Sequence, residues 1–197
     1  MRMKRAFDVA ASGLALAVLA PVLGVIALAV FLDSGFPVFY SQERVGRGFR
    51  PFRIWKFRSM RNNSCGSRIT VRGDERITRV GKLLRATKLD ELPQLLNVVV
   101  GDMSLVGPRP ELPEYVEMYH ERYRKILVVR PGITDLASVR FYDEETVLAA
   151  ASEPIEYYVR KLLPGKLELA EEYLRKRSFL FDLSLLLRTF WTVLRIA

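Results

Sequence analysis

Residues Val9 to Leu32 form a nearly uncharged run between Asp8 and Asp33, with Pro21 near its middle. In a helix, at about 1.5 Å per residue, such a run is long enough to span a hydrocarbon core of about 30 Å. Three readings fit it. A basic start (Arg2, Lys4, Arg5) followed by Ala15-Leu-Ala17 or Ala27-Leu-Ala29 resembles a signal peptide with a cleavage site. A spanning helix fits the length. A re-entrant helix–break–helix fits the flanks, because Arg44, Arg47, Arg50, Arg53 and Lys56 follow the run as well. Positive charge stays cytoplasmic, so two basic flanks favour entering and leaving on one side. Pro21 removes a helical N–H and clashes with the Ala17 carbonyl, which costs about 3 kcal/mol in a straight helix. Pro-kinked helices also span membranes, so the run alone leaves spanning and re-entrant open.

The 197 residues suit one domain with an appended membrane element, and 31 Lys+Arg against 22 Asp+Glu give a net charge of +9. That balance points to polyanionic partners: nucleic acid, nucleotide or an anionic leaflet. Cys65 and His120 are each the single residue of their type. This excludes disulfide frameworks and metal sites built on several Cys or His, and His120, read as a solvated helix residue, is set aside as the base of a triad. Acid–base or nucleophilic work therefore falls to carboxylates.

After the apolar run, Val38-Phe-Tyr and Phe52, Ile54, Trp55 and Phe57 are strand formers flanking Gly46-Arg-Gly48, which predicts a basic β-hairpin. Asn62–Ser67 reads as a loop, and Thr70–Thr78 as polar and irregular. Arg79–Lys88 is a short amphipathic helix. Glu111–Leu127 is a longer one, with Tyr115, Tyr119 and Tyr123 at core spacing and His120 as a solvated helix residue. Arg130-Pro-Gly132 turns the chain sharply. Helices follow at Asp143–Ser152 and from Pro154 through Leu162. Pro164-Gly165 is expected to stop the second, and Lys166–Lys176 to form another. The end, about 179–197, has apolar residues around most of its circumference, with Arg188 and Arg195 interspersed. It suits a buried helix or one lying in a membrane interface.

Chemistry is most expected between Arg85 and Glu111. Asp90 and Glu91 precede Pro93, and Pro is tolerated in a first helical turn. A helix starting near Asp90 would offer a partly positive N-terminus, which keeps carboxylates ionised or binds phosphate. Arg85 and Lys88 lie upstream. Arg109 sits between Pro108 and Pro110, held in place for bidentate contact with phosphate oxygens. An N-capping Asp and a dipole-matching Glu would give the same pattern with no chemistry.

The ordered set Lys4-Arg-Ala-Phe-Asp8, Val38-Phe-Tyr-Ser-Gln-Glu-Arg-Val-Gly46, Phe52-Arg-Ile-Trp-Lys-Phe-Arg-Ser-Met60, Leu89-Asp-Glu-Leu-Pro-Gln-Leu95, Gly101-Asp-Met-Ser-Leu-Val-Gly-Pro-Arg-Pro110, Arg130-Pro-Gly-Ile-Thr134 and Asp182-Leu-Ser-Leu-Leu-Leu-Arg-Thr189 resembles the bacterial sugar transferase family, the monotopic phosphoglycosyl transferases. The likeness covers nearly the whole chain and looks like the minimal form of the family. It implies an α+β, mainly helical fold: a re-entrant membrane helix over 1–36, then a cytoplasmic catalytic domain over 37–197 with a basic β-hairpin and amphipathic helices at the membrane interface.

The implied reaction moves a phosphosugar from a UDP-sugar to undecaprenyl phosphate at the cytoplasmic face of a bacterial inner membrane, with Mg²⁺ required and UMP released. The products would feed exopolysaccharide or lipopolysaccharide synthesis. Asp90 would be the nucleophile and Glu91 would help it hold Mg²⁺. Lys56, Arg58, Arg85, Pro108, Arg109, Pro110 and Arg130 would bind substrate. Membrane lipids are implied partners, nucleic acid is not, and a homodimer is left open. Three departures stand out: Ala20-Pro21 where relatives often read Ser-Pro, Lys88 where Ser is common, and Asp135-Leu-Ala-Ser-Val-Arg-Phe-Tyr-Asp-Glu-Glu145 where many read Gly and then Gln-Val. The rival reading is a non-catalytic membrane-anchored basic module, either an adaptor or a nucleic-acid binder stacking bases on Phe52, Trp55 and Phe57.

Overall fold

The computed structural model describes residues 2–61, 70–71 and 73–196; the loop expected at Asn62–Ser67 lies outside them. Among the described residues the chain is mainly helical with two small two-stranded sheets.

The apolar run forms α1 (Arg2–Ser34), which is long and apolar enough to cross a membrane. Helix continues through Pro21, where the resemblance implied a break. The ring sits on an exposed side, so it meets no packed neighbour outside the helix. Asp8, Ser12, Ile26 and Val30 form a buried stripe at helical spacing, while Leu14, Val18, Val25, Leu28 and Leu32 are exposed on the opposite side. Both ends are tied down. Arg5 donates to the Val98 and Val99 carbonyls at 2.7 and 3.2 Å. Asp8 accepts from Ser104 at 2.7 Å. At the far end Arg58 donates to the Ser34 and Phe36 carbonyls at 2.6 and 3.0 Å.

β1 (Phe39–Val45) and β2 (Pro51–Phe57) form the expected antiparallel hairpin, with Phe39 opposite Phe57 and Val45 opposite Pro51. Its turn contains a 3-10 segment, Arg47–Phe49, in which Gly48 takes a left-handed φ of 65°. By the two-residue alternation of strands, Tyr40, Gln42, Arg44 and Lys56 share one face. α2 (Arg79–Ala86) is capped by Thr78, whose hydroxyl accepts from the Gly81 amide at 2.9 Å. A 3-10 turn, Leu89–Glu91, leads to α3 (Gln94–Val100), which ends on Gly101 at φ 113°.

β3 (Ser104–Val106) and β4 (Gly132–Thr134) pair in parallel, a sheet that the sequence pattern did not suggest. Between them the single helix expected over Glu111–Leu127 is two, α4 (Pro113–Met118) and α5 (His120–Ile126), separated by Tyr119 at φ −121°. Tyr115 and Tyr123 are buried with Leu112, Ile126, Leu163 and Leu167 in the largest core cluster, as their spacing predicted.

α6 (Leu136–Arg140) and α7 (Glu144–Ala149) follow. α8 (Pro154–Tyr157) then runs through a π turn, Tyr158–Leu162, into α9 (Leu163–Lys176). Pro164-Gly165 therefore does not stop the helix. Pro164 comes just after the π turn, where the regular helical hydrogen-bond ladder is already interrupted. The Val159 carbonyl in the π turn is satisfied instead by the Tyr119 hydroxyl at 2.9 Å. α10 (Phe179–Ile196) buries Asp182 and Leu185 and exposes Leu180, Leu187, Phe190 and Trp191.

Candidate active site

A cleft of about 1260 Å³ opens between the hairpin, α2, the Leu89–Glu91 turn, α6 and α7. Lys88 adopts a left-handed conformation (φ 57°) and turns the chain from α2 into the 3-10 segment. That reversal delivers both carboxylates to the cleft, about one helical turn before α3 begins.

The two carboxylates have different surroundings. Glu91 is buried and doubly paired: Lys56 Nζ reaches Oε1 at 2.7 Å, and Arg109 contacts Oε1 at 2.5 Å and Oε2 at 3.4 Å. Burial alone would raise its pKa, but the Arg109 and Lys56 charges hold it well below the usual carboxylate range. The Glu91 charge correspondingly raises the Arg109 pKa. For Lys56, burial lowers the pKa against the pull of Glu91. Asp90 is also buried, yet its Oδ1 has no hydrogen-bond partner. Burial pushes the Asp90 pKa up; Lys56 draws it down, Glu91 adds to the rise, and Arg85 and Lys88 draw it down again. This reverses the expected direction. Asp90 lies before α3 rather than at its first turn, so desolvation outweighs any helix-terminus effect.

Lys56, Arg85 and Arg109 come together around this pair, as the sequence suggested. Arg85 is paired with Glu145 of α7. Arg58 borders the cleft, but its guanidinium caps the end of α1. Arg130 is not among the cleft-lining residues. Its Nε donates to the Gly101 carbonyl at 2.8 Å, and burial, with Arg5 and Arg47 nearby, lowers its pKa. Pro108 and Pro110 are buried on either side of Arg109. The Arg109 amide also donates to Asp135 at 3.3 Å, and Asp135 caps α6 by accepting from the Ser138 amide at 2.7 Å. The departure at Asp135 thus has a local reason: one carboxylate starts α6 and fixes the Arg109 backbone.

Several cleft residues were missed from the sequence. Glu111 is buried and accepts from Arg44 at 3.2 Å and from the Tyr158 hydroxyl at 2.6 Å. Lys166 pairs with Glu144 at 2.6 Å. Strand parity could have found Arg44, because it shares a face with Lys56. Nothing local signals Lys166, which reaches the cleft from a helix read only as charged.

This site, a basic cleft around one paired and one unpaired buried carboxylate, belongs to a chain that the family comparison places firmly. The model of the bacterial sugar transferase family matches residues 1–196, and the chain is a member of that family. It is 41% identical over 191 residues to a "UDP-glucose:undecaprenyl-phosphate glucose-1-phosphate transferase" of Caulobacter vibrioides, covering 94% of this chain and 67% of the relative. It is 46% identical over 151 residues to the "Exopolysaccharide production protein PSS" of Rhizobium leguminosarum bv. phaseoli, covering 70% of this chain and 74% of that one. A third relative, "UDP-N-acetylgalactosamine-undecaprenyl-phosphate N-acetylgalactosaminephosphotransferase" of Aeromonas hydrophila, is 45% identical over 141 residues; the match covers 69% of this chain but 33% of the relative.

Proposed function

We propose that this transferase moves a phosphosugar from a UDP-sugar to undecaprenyl phosphate and releases UMP. The observation that carries the reading is Asp90: a buried carboxylate with an unpartnered oxygen in a cleft whose cations suit a diphosphate. An Asp90 oxygen attacks the β-phosphorus, and the bond from that phosphorus to the bridging oxygen breaks. UMP departs with the bridging oxygen. An oxygen of the lipid phosphate then attacks the same phosphorus and frees Asp90. Lys56 and Arg109 keep Glu91 ionised and oriented beside the reacting carboxylate.

The unpartnered Asp90 oxygen beside the Glu91 carboxylate suits a hard cation such as Mg²⁺, which takes one or two carboxylates and completes its shell with phosphate oxygens and water. Asp90 and Glu91 would hold it, and it would neutralise charge on the diphosphate. The family membership favours this reading over the non-catalytic basic module. The deciding assay follows UMP release from a panel of UDP-sugars with and without undecaprenyl phosphate. Release from none of them would refute the reading.

The exposed apolar side of α1 and the apolar side of α10 support seating the protein on the membrane, with the cleft at the cytoplasmic face. We place both ends of α1 on that face, because each end is bonded to the same body. Cysteine probes near Met3 and Arg47, in a Cys65→Ser background, should both resist an impermeant reagent applied to whole cells. Labelling of the Met3 probe alone would mean a spanning helix.

A further inference from the structure

Several of the cations around the cleft already have anions. Lys56 and Arg109 share Glu91, Lys166 holds Glu144, and Arg85 holds Glu145. The last pair spans the most sequence, joining α2 to α7 across 60 positions, and its carboxylate is the most exposed of these. Nη2 of Arg85 carries the contact, while its buried Nε has no partner. A guanidinium presents a fork of N–H groups shaped for two oxygens of one anion, and Glu145 leaves part of that fork unused. Arg85 is also close enough to Asp90 to lower its pKa. Arg85 and Asp90 both line the cleft, where a donor diphosphate would meet Asp90.

Besides the Glu144–Lys166 pair, few contacts anchor α7. It has six residues, of which only Leu148 is buried, and Asp143 makes no side-chain capping bond.

We propose that Glu145 is a resident anion that occupies the place of a phosphate oxygen on Arg85, and that the donor diphosphate displaces it and releases α7 from α2. A diphosphate brings more negative charge than one carboxylate and can use both arms of the fork, so it wins the exchange. Competition with Glu145 weakens donor affinity, and product release is helped when the pair re-forms. This rests on the reading that the cleft takes a nucleoside diphosphate.

UDP is the probe, titrated calorimetrically into the full chain in detergent. Glu145→Gln should bind UDP more tightly than wild type, by up to about fivefold, which matches the upper range for a partly exposed ion pair. In an Arg85→Gln background, adding Glu145→Gln should change UDP affinity little, because the competing pair is already gone. In the wild type, hydrogen exchange across residues 144–149 should speed up as UDP saturates, a readout that needs no variant to fold. Glu145→Gln binding UDP no more tightly, the same tightening persisting without Arg85, or exchange across 144–149 staying constant or slowing would each overturn the proposal. A wild type that binds no UDP would overturn the donor reading itself, and this proposal with it.

Discussion

Asp90→Asn should give a folded protein that releases UMP at least about a thousandfold more slowly and forms no phosphosugar adduct, because the amide is not a nucleophile toward phosphorus. The same change should make the protein more stable at neutral pH. Burial raises the Asp90 pKa above its unfolded value, so its contribution to stability is intact below the unfolded value of 3.8 and is lost as pH rises through the folded one. A neutral Asn escapes that penalty, and each kcal/mol recovered should raise the melting midpoint by about 2–4 °C. The neighbouring position should respond the other way. Glu91→Gln strips the shared anion from Lys56 and Arg109, and should cost about 2 kcal/mol as well as activity. Intact-mass spectrometry after mixing wild type with UDP-sugar and magnesium, without lipid, should find the adduct on Asp90. An adduct mapped to Glu91, or a UMP burst surviving in Asp90→Asn, would move the nucleophile elsewhere.

Gly132→Ala should be among the most destabilising single substitutions in the chain. A Cβ there would sit 2.1 Å from the Gly107 nitrogen and 2.5 Å from its oxygen. Neither backbone can give way easily. The Gly132 amide donates to Pro108 at 3.0 Å, the Ser104 amide to Pro131 at 2.9 Å, and the Gly107 amide to Thr134 at 3.1 Å. Overpacking against backbone held this way should cost about 3–5 kcal/mol. Separating Gly107 from Gly132 would also shift Pro108 and Arg109, so turnover should fall in whatever folded fraction remains. Thermal melts followed by tryptophan fluorescence test the claim. A loss under about 1 kcal/mol would show that β3 and β4 can move apart.

These glycines also show what the sequence concealed. The hairpin could be read because its strands alternate and its turn carries two glycines, all within Phe39–Phe57. The parallel pair could not, since three-residue strands are too short for any period to register, and their partner lies across two helices. Gly107 and Gly132 looked like turn residues in separate motifs; they are the contact between those motifs. The carboxylate pair was visible because it sits beside Pro93 within one short stretch. Its division of labour was not, because that depends on Lys56 and Arg109 arriving from 35 and 18 positions away. Arg130 misled for the complementary reason. A cation next to a Pro-Gly turn has the same local signature whether it meets a phosphate or, as here, a helix-end carbonyl.

The arginine–carbonyl contacts at the two ends of α1 have a consequence for how this protein is made. Arg5 closes the last turn of α3, the helix that directly follows the carboxylate turn, and Arg58 closes α1 itself. α1 is therefore part of the support of the carboxylate turn rather than a tether beside it. Truncating it to obtain a soluble fragment would uncap α3 and empty the cluster that Ile26 and Val30 share with Phe57 and Leu84. During synthesis α1 emerges from the ribosome long before its partners. Until α3 and β2 exist its apolar sides need cover, which a membrane surface would supply.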